Sequence, residues 1–427
     1  MSKAYIGTNG CIQGQLSSKY IERFLINNGI SVTADPVAAD IVVFYACGLT
    51  EQKEINSLNI IKNFQTKMKS DAKLLVWGCL PKINPKSLRG VYDGPLIGSL
   101  DSNFFTGIPK NISFPLDEVS RACNPNELST MDTGTIYNHD YIDPLTTSIL
   151  LFKQGWEKFY SRPYKNNRIC FIPIGTGCSG KCTYCSERPV FGRPKSRPID
   201  KILAEFEKGL QEGYKRFSIV ATDTGSYGLD IGYTFPDLLR KIIETNEKKD
   251  FKIIINQLEP LHLREICDDM KDIFSSGKIE KLECPVQSGS NRILKLMKRE
   301  YTAEEWRNHM LLINKKYPKI RFGTHFMVGF PTETEEDFNA TMKLMDRPLF
   351  LDSIYVFKFS KRPSVAISRT EGQVSEKTKE LRYKKLQQKY AKMYVRHFMK
   401  LNNLRLRCSH KEEVNQSKKI SWMINND

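Results

Sequence analysis

The sequence predicts an α/β protein with three parts: a small N-terminal parallel sheet of Rossmann-like type, a partial (β/α)6 barrel and a basic helical C-terminal tail. Three observations predict it. Short apolar runs alternate with helix-length amphipathic segments, which requires parallel strands joined by crossover helices. The alternation is tight over the first hundred residues and slower from about residue 168 to residue 360. Beyond that point 17 Lys and Arg stand against 6 Asp and Glu.

Composition fits such a fold. The chain has 427 residues, 40% apolar and 26% charged, enough for about two to four domains. It lacks an apolar run long enough to cross a bilayer and begins without the basic head and apolar stretch of a secretory signal. A cytoplasmic protein without membrane partners is expected, its 11 cysteines held as thiols.

In the N-terminal part, strands are expected at Ala4–Gly7, Ile41–Ala46 and Leu74–Trp77, with helices at Leu16–Asn28 and Glu51–Met68. A cysteine follows each strand: Cys11, Cys47 and Cys79. Their intervals of 36 and 32 residues each match one strand–helix repeat. Strand ends of a parallel sheet share one edge, so three thiols far apart in sequence are expected to converge there. A soft-metal or iron–sulfur site explains cysteines in three successive loops better than core packing does.

The next part repeats the pattern six times. Strands are expected at Ile169–Ile174, Phe217–Ala221, Lys252–Asn256, Lys281–Val286, Arg321–Val328 and Ser353–Phe359. Helices are expected near Ile199–Glu212, Phe235–Glu247, Leu261–Ser275, Asn291–Tyr317 (interrupted) and Glu333–Met345. The loops after the strands are rich in glycine and small polar residues, as one ligand-binding face of a barrel would be. The first of them reads Gly175-Thr-Gly-Cys178-Ser-Gly-Lys-Cys182-Thr-Tyr-Cys185. Three sulfurs on one loop suit three irons of a cubic 4Fe–4S cluster and leave the fourth iron open. A zinc site would need a fourth donor, and the chain has no histidine between His139 and His262.

The C-x3-C-x2-C segment with Tyr184 before its last cysteine resembles the signature of radical S-adenosylmethionine (SAM) enzymes. Joined to Cys11, Tyr45-Ala-Cys47 and Gly78-Cys79, it resembles the methylthiotransferase branch. Ser196-Arg-Pro198, Pro285-Val-Gln-Ser-Gly-Ser290, Leu294–Thr302 and Val328–Phe338 continue the likeness in order. The resemblance covers about residues 4–85 and 168–370.

That resemblance implies two 4Fe–4S clusters. Cys178, Cys182 and Cys185 would hold the one that binds and cleaves SAM, giving a 5′-deoxyadenosyl radical that abstracts hydrogen from an unactivated carbon. Cys11, Cys47 and Cys79 would hold the auxiliary one, which carries sulfur drawn from sulfide or persulfide. A second SAM would supply the methyl group, and flavodoxin or ferredoxin the electron. Tyr184, Thr222, Gln287 and Ser288 are expected near the cofactor, with Arg299 and Arg321 pairing a carboxylate. Glu259 is either a cofactor hydroxyl acceptor or a turn cap. Cys123, Cys170, Cys267, Cys284 and Cys408 are read as packing residues.

The expected organisation is residues 1–110 for the three-cysteine domain, 111–167 for a linker or insertion, 168–362 for the barrel and 363–427 for the basic extension. Family members commonly end in a small β-barrel, whereas Ser375–Lys400 reads here as a basic helix with too little chain after it. A peptide or protein side chain is therefore expected as substrate ahead of tRNA, and a monomer as the working form. The basic tail keeps a phosphate-binding tRNA reading open. A one-cluster radical SAM enzyme that does not insert sulfur is a further alternative.

Overall fold

The computed structural model describes residues 2–123, 168–346, 349 and 351–397. The first sheet holds β1 (Lys3–Thr8), β2 (Ser31–Val32), β3 (Ile41–Ala46), β4 (Lys73–Gly78) and β5 (Leu96–Gly98) in the order β2-β1-β3-β4-β5. Every pair is parallel. Successive side chains of a strand point to opposite faces, and this divides the core. Ile6, Val43, Tyr45 and Trp77 pack with Tyr20 and Phe24 of helix Ile12–Asn27. Val42, Phe44 and Val76 pack with Ile61 and Phe64 of helix Glu51–Lys67 on the other face.

The second sheet comprises β6 (Ile169–Pro173), β9 (Arg216–Val220), β10 (Lys252–Ile255), β11 (Ile279–Glu283), β12 (Arg321–Val328) and β13 (Ser353–Lys358), adjacent in that sequence order. All its ladders are parallel. Among the described residues no ladder joins β13 to β6, so the barrel is open. The short strands β7 (Gly175–Thr176) and β8 (Lys195–Ser196) pair antiparallel and bracket the first cysteine loop.

Each expected strand is present; Ile41–Ala46 and Arg321–Val328 have the expected bounds, and the other ends are displaced by at most three residues. The expected helix Leu261–Ser275 is two helices, Pro260–Ile266 and Lys271–Ser275. The expected interruption of Asn291–Tyr317 separates helix Asn291–Leu296 from Ala303–Lys316. Residues 376–397 form the expected basic helix; the residues after it lie outside those described.

That helix folds back on the barrel. Leu386 and Tyr390 enter the core. Lys379 donates to the Phe359 carbonyl at 2.9 Å, and Arg382 pairs with Glu333 at 2.7 Å. Lys389 reaches Asp346 at 2.6 Å. Several of its cations therefore dock the helix and do not form a free cationic face. Of the expected insertion, the part up to Cys123 wraps helix Ile12–Asn27: the Leu116 carbonyl accepts from Tyr20 Oη at 2.6 Å and the Ala122 carbonyl from Arg23 at 2.7 Å. Residues 124–167 lie outside those described.

Candidate active site with two cysteine trios

The N-terminal trio follows from strand register. Ala46 pairs with Gly78, so Cys47 and Cys79 leave neighbouring strand ends together. The Cys79 N–H donates to the Ala46 carbonyl at 3.1 Å. Cys11 stands at the start of helix Ile12–Asn27 without a side-chain capping hydrogen bond. Asn9 braces the middle loop, its side-chain carbonyl accepting from the Cys47 N–H at 2.9 Å.

The three sulfurs are close enough to repel as thiolates. Burial raises the Cys47 thiol to about 12, with the charge of Cys11 adding to it. Burial and then Cys47 and Cys11 raise Cys79 well above its ordinary value. Like-charged groups held this way need a cation to ionise together. Tyr45 Oη lies 3.2 Å from Cys79 Sγ and 2.8 Å from Ser99 Oγ.

The second trio occupies the loop after β6. Gly177 has φ +80°, and a Cβ there would stand 2.0 Å from the Arg193 carbonyl oxygen, so the loop requires glycine. The Gly180 N–H donates to Cys178 Sγ at 3.2 Å. A Cβ on Gly180 would lie 3.2 Å from Cys178 Sγ and 3.7 Å from Cys182 Sγ. Burial and then Asp223 raise the Cys178 thiol; burial and then Glu187 raise Cys185 to about 11. Behind Cys178, Asp223 accepts from Ser226 Oγ at 2.5 Å and meets His262 Nε2 at 3.2 Å. His262 was not foreseen as a site residue, whereas Asp223 falls in the loop Thr222–Gly228 that the family resemblance puts near the methionine or ribose portion of SAM.

The two trios adjoin. Val190 and Phe191, just past Cys185, pack into the N-terminal core with Trp77 and Cys79. Ser186 Oγ reaches the Leu49 carbonyl at 3.5 Å. The charge of the Glu187 carboxylate disfavours ionisation of Cys11, Cys47 and Cys79 as well as of Cys185. Only Cys11 of the six is solvent-exposed.

The expected cofactor residues divide. Tyr184 Oη meets Arg299 at 2.6 Å on the cluster-loop side. Arg299 is ion-paired with Glu259, whose other oxygen caps Leu261 at 2.6 Å. Glu259 is thus a cap and a counter-ion, while Arg299 Nε is buried without a partner. Thr222 Oγ1 accepts from the Gly177 N–H at 3.2 Å, holding the loop itself. Gln287 adopts φ 69° between β11 and β12, its N–H bonded to the His325 carbonyl at 2.8 Å.

Ser288 is fully buried, and its hydroxyl engages Thr341 at 3.3 Å and the Ser290 N–H at 3.1 Å, which shapes its loop. One expectation is corrected. Arg321 opens β12 at the rim opposite the cysteines and is paired with Glu280 and Asp352. A residue at the amino end of a barrel strand cannot reach a cofactor at the carboxyl ends.

The donor chemistry fits iron–sulfur clusters. Each trio offers three soft thiol donors, and the Cys178 sulfur already accepts a backbone hydrogen bond from Gly180. Among the described residues no three His, Cys, Asp or Glu side chains close on a single metal ion. A cubane takes one sulfur per iron and needs no such convergence.

This fold and cysteine loop define a radical SAM enzyme. Residues 172–345 match the Radical SAM superfamily, and residues 3–94 match a family described as Uncharacterized protein family UPF0004. The chain is 30% identical to the probable threonylcarbamoyladenosine tRNA methylthiotransferase of Pyrococcus abyssi, over 86% of this chain and 79% of that one. It is also 30% identical to the tRNA-2-methylthio-N(6)-dimethylallyladenosine synthase of Thermodesulfovibrio yellowstonii, over 88% and 80%. In fold it is similar to the radical SAM methyltransferase TsrM of Kitasatospora setae, with TM-score 0.55 and 12% identity over 86% of this chain and 75% of that one. The chain belongs to the radical SAM methylthiotransferase family and is a transferase whose family cofactors are SAM and 4Fe–4S iron–sulfur. Among the described residues no helix is long and apolar enough to cross a membrane.

Proposed function

We propose that this enzyme replaces a C–H bond of a tRNA adenosine with a methylthio group, using two 4Fe–4S clusters, one on each cysteine trio. One observation carries the choice of substrate: relatives named as tRNA methylthiotransferases align over 85 to 90% of the chain. The peptide or protein side chain expected from the sequence is not favoured by those relatives and gives way to tRNA.

When bound, the clusters and SAM supply the radical, the sulfur and the methyl group that no side chain offers. The protein supplies ligands and aim. Cys178, Cys182 and Cys185 hold the SAM-cleaving site, and Cys11, Cys47 and Cys79 the sulfur-carrying site. The unpartnered Arg299 Nε and the Gln287 amide are the polar groups best placed to bind SAM, with Tyr184 fixing Arg299. Sulfide or persulfide serves as sulfur source and a flavodoxin or ferredoxin as electron donor. The working form is a monomer, organised as residues 1–110, 111–167, 168–362 and 363–427.

Anaerobically reconstituted protein should bind about eight irons and eight sulfides per chain, and Cys47→Ala about four of each. The variant should still form 5′-deoxyadenosine from SAM but make no methylthio nucleoside, as read by mass analysis of digested tRNA. Unimpaired methylthio product from Cys47→Ala would refute the division of labour. Modification of peptides but not tRNA, or tRNA binding insensitive to salt, would refute the substrate.

A further inference from the structure

Tyr45 lies beside the N-terminal trio, two residues before Cys47 on β3. Its ring is wedged against the segments that carry Cys11 and Cys79, at positions where glycine leaves room. A Cβ on Gly14 would stand 2.6 Å from the ring, on Gly10 3.0 Å and on Gly78 3.1 Å. Trp77 packs edge-on at 5.0 Å between centroids, and the side chain is 1% exposed. The ring has no freedom to turn, so the hydroxyl is fixed 3.2 Å from Cys79 Sγ. Its other neighbour, Ser99 Oγ at 2.8 Å, is itself buried.

We propose that Tyr45 is a positioning residue that donates its hydroxyl hydrogen bond to the Cys79 sulfur and so raises the reduction potential of the N-terminal iron–sulfur site. The inference rests on the assignment of Cys79 as a cluster ligand. A ligating cysteine is a thiolate and can only accept, so the hydroxyl must be the donor. Ser99 then donates to the Tyr45 oxygen, and the chain Ser99–Tyr45–Cys79 polarises in one direction. A hydrogen bond to a ligand sulfur withdraws charge from the iron and stabilises the reduced state more than the oxidised one. No tyrosine hydroxyl lies within hydrogen-bonding distance of a Cys178, Cys182 or Cys185 sulfur among the described residues, so the effect is confined to one site.

The test is a redox titration of the reconstituted holoenzyme, followed by electron paramagnetic resonance of the two sites. Tyr45→Phe keeps the ring and removes the donor. It should retain about eight irons per chain, lower the potential of the N-terminal site and leave that of the Cys178–Cys185 site unchanged. Ser99→Ala should shift the same site in the same direction by less. An unchanged N-terminal potential in Tyr45→Phe would overturn the proposal. So would loss of the N-terminal cluster from Tyr45→Phe with an unshifted potential in Ser99→Ala, because Tyr45 would then be purely structural. Wild-type protein with only about four irons would instead overturn the two-cluster reading on which the inference stands.

Discussion

Single side chains decide what each cysteine loop holds. Gly180 is the sharpest case, since a methyl group there would press on Cys178 Sγ at 3.2 Å and touch Cys182 Sγ at 3.7 Å. Gly180→Ala should lower iron content per chain on reconstitution while leaving the metal-free melting temperature almost unchanged. Equal iron loading would show there is more room than the contacts suggest. Arg321 gives the opposite prediction. Its partner Glu280 keeps a second cation in Arg216, so Arg321→Met should cost about 1 kcal/mol or less and leave SAM affinity unaltered. A calorimetric titration showing weaker SAM binding would restore it to the site. All six cysteines were legible because their positions follow from motif and strand period. The position of Arg321 was equally legible, since a residue that opens a strand faces away from the carboxyl rim. The Tyr45 contact was not, because it depends on three glycines brought together by folding.

Secondary-structure elements were read well where their pattern was long. The eight residues of β12 match the expected Arg321–Val328. The strands β2 and β5, with two and three residues, carry too little alternation to register. The break in Leu261–Ser275 was missed because its apolar spacing runs through the turn at residues 267–270, with no glycine or proline to mark it. Capping explains why other helices start where they do. Thr334 and Asp337 form a capping box on helix Glu335–Leu344, and Asp337 also accepts from Ser290 at 2.5 Å and pairs with Arg292. One carboxylate thus ties the Pro285–Ser290 loop to helix Glu335–Leu344. Burial opposes ionisation of Asp337, but the bonds from Arg292, Ser290 and Thr334 outweigh it and depress its titration far below the ordinary aspartate range. A depressed carboxylate contributes stability above its unfolded-state value and loses it as pH falls toward the folded one. Asp337→Asn should therefore flatten part of the acid limb of stability below about pH 4 in denaturant melts of the metal-free protein. An unaltered acid limb would remove Asp337 from that role.

At the scale of the whole molecule, the two sheets are held together by contacts remote in sequence. Arg362, after β13, is buried in an ion pair with Glu54 of helix Glu51–Lys67, and Asn84 also donates to Glu54 at 2.8 Å. Removing one buried partner strands the other, so Arg362→Ala should destabilise by about 3–5 kcal/mol, whereas Glu54→Leu with Arg362→Met should recover most of it. Equal losses for the single and double variants would show that packing, not charge, joins the sheets. Pairings across some 300 residues leave no trace in local pattern, which is why the adjacency of the two trios could be expected but not located. The unsealed barrel has a last consequence. A closed ring of strands fixes its own bore, because any change of girth must break ladder hydrogen bonds. Here no ladder joins β13 to β6 among the described residues, and the outer edge of β6 is taken by Cys123, which exchanges backbone hydrogen bonds with Phe171 at 3.1 and 2.9 Å. The girth of this wall is therefore set by packing at the gap and not by a last row of ladder hydrogen bonds.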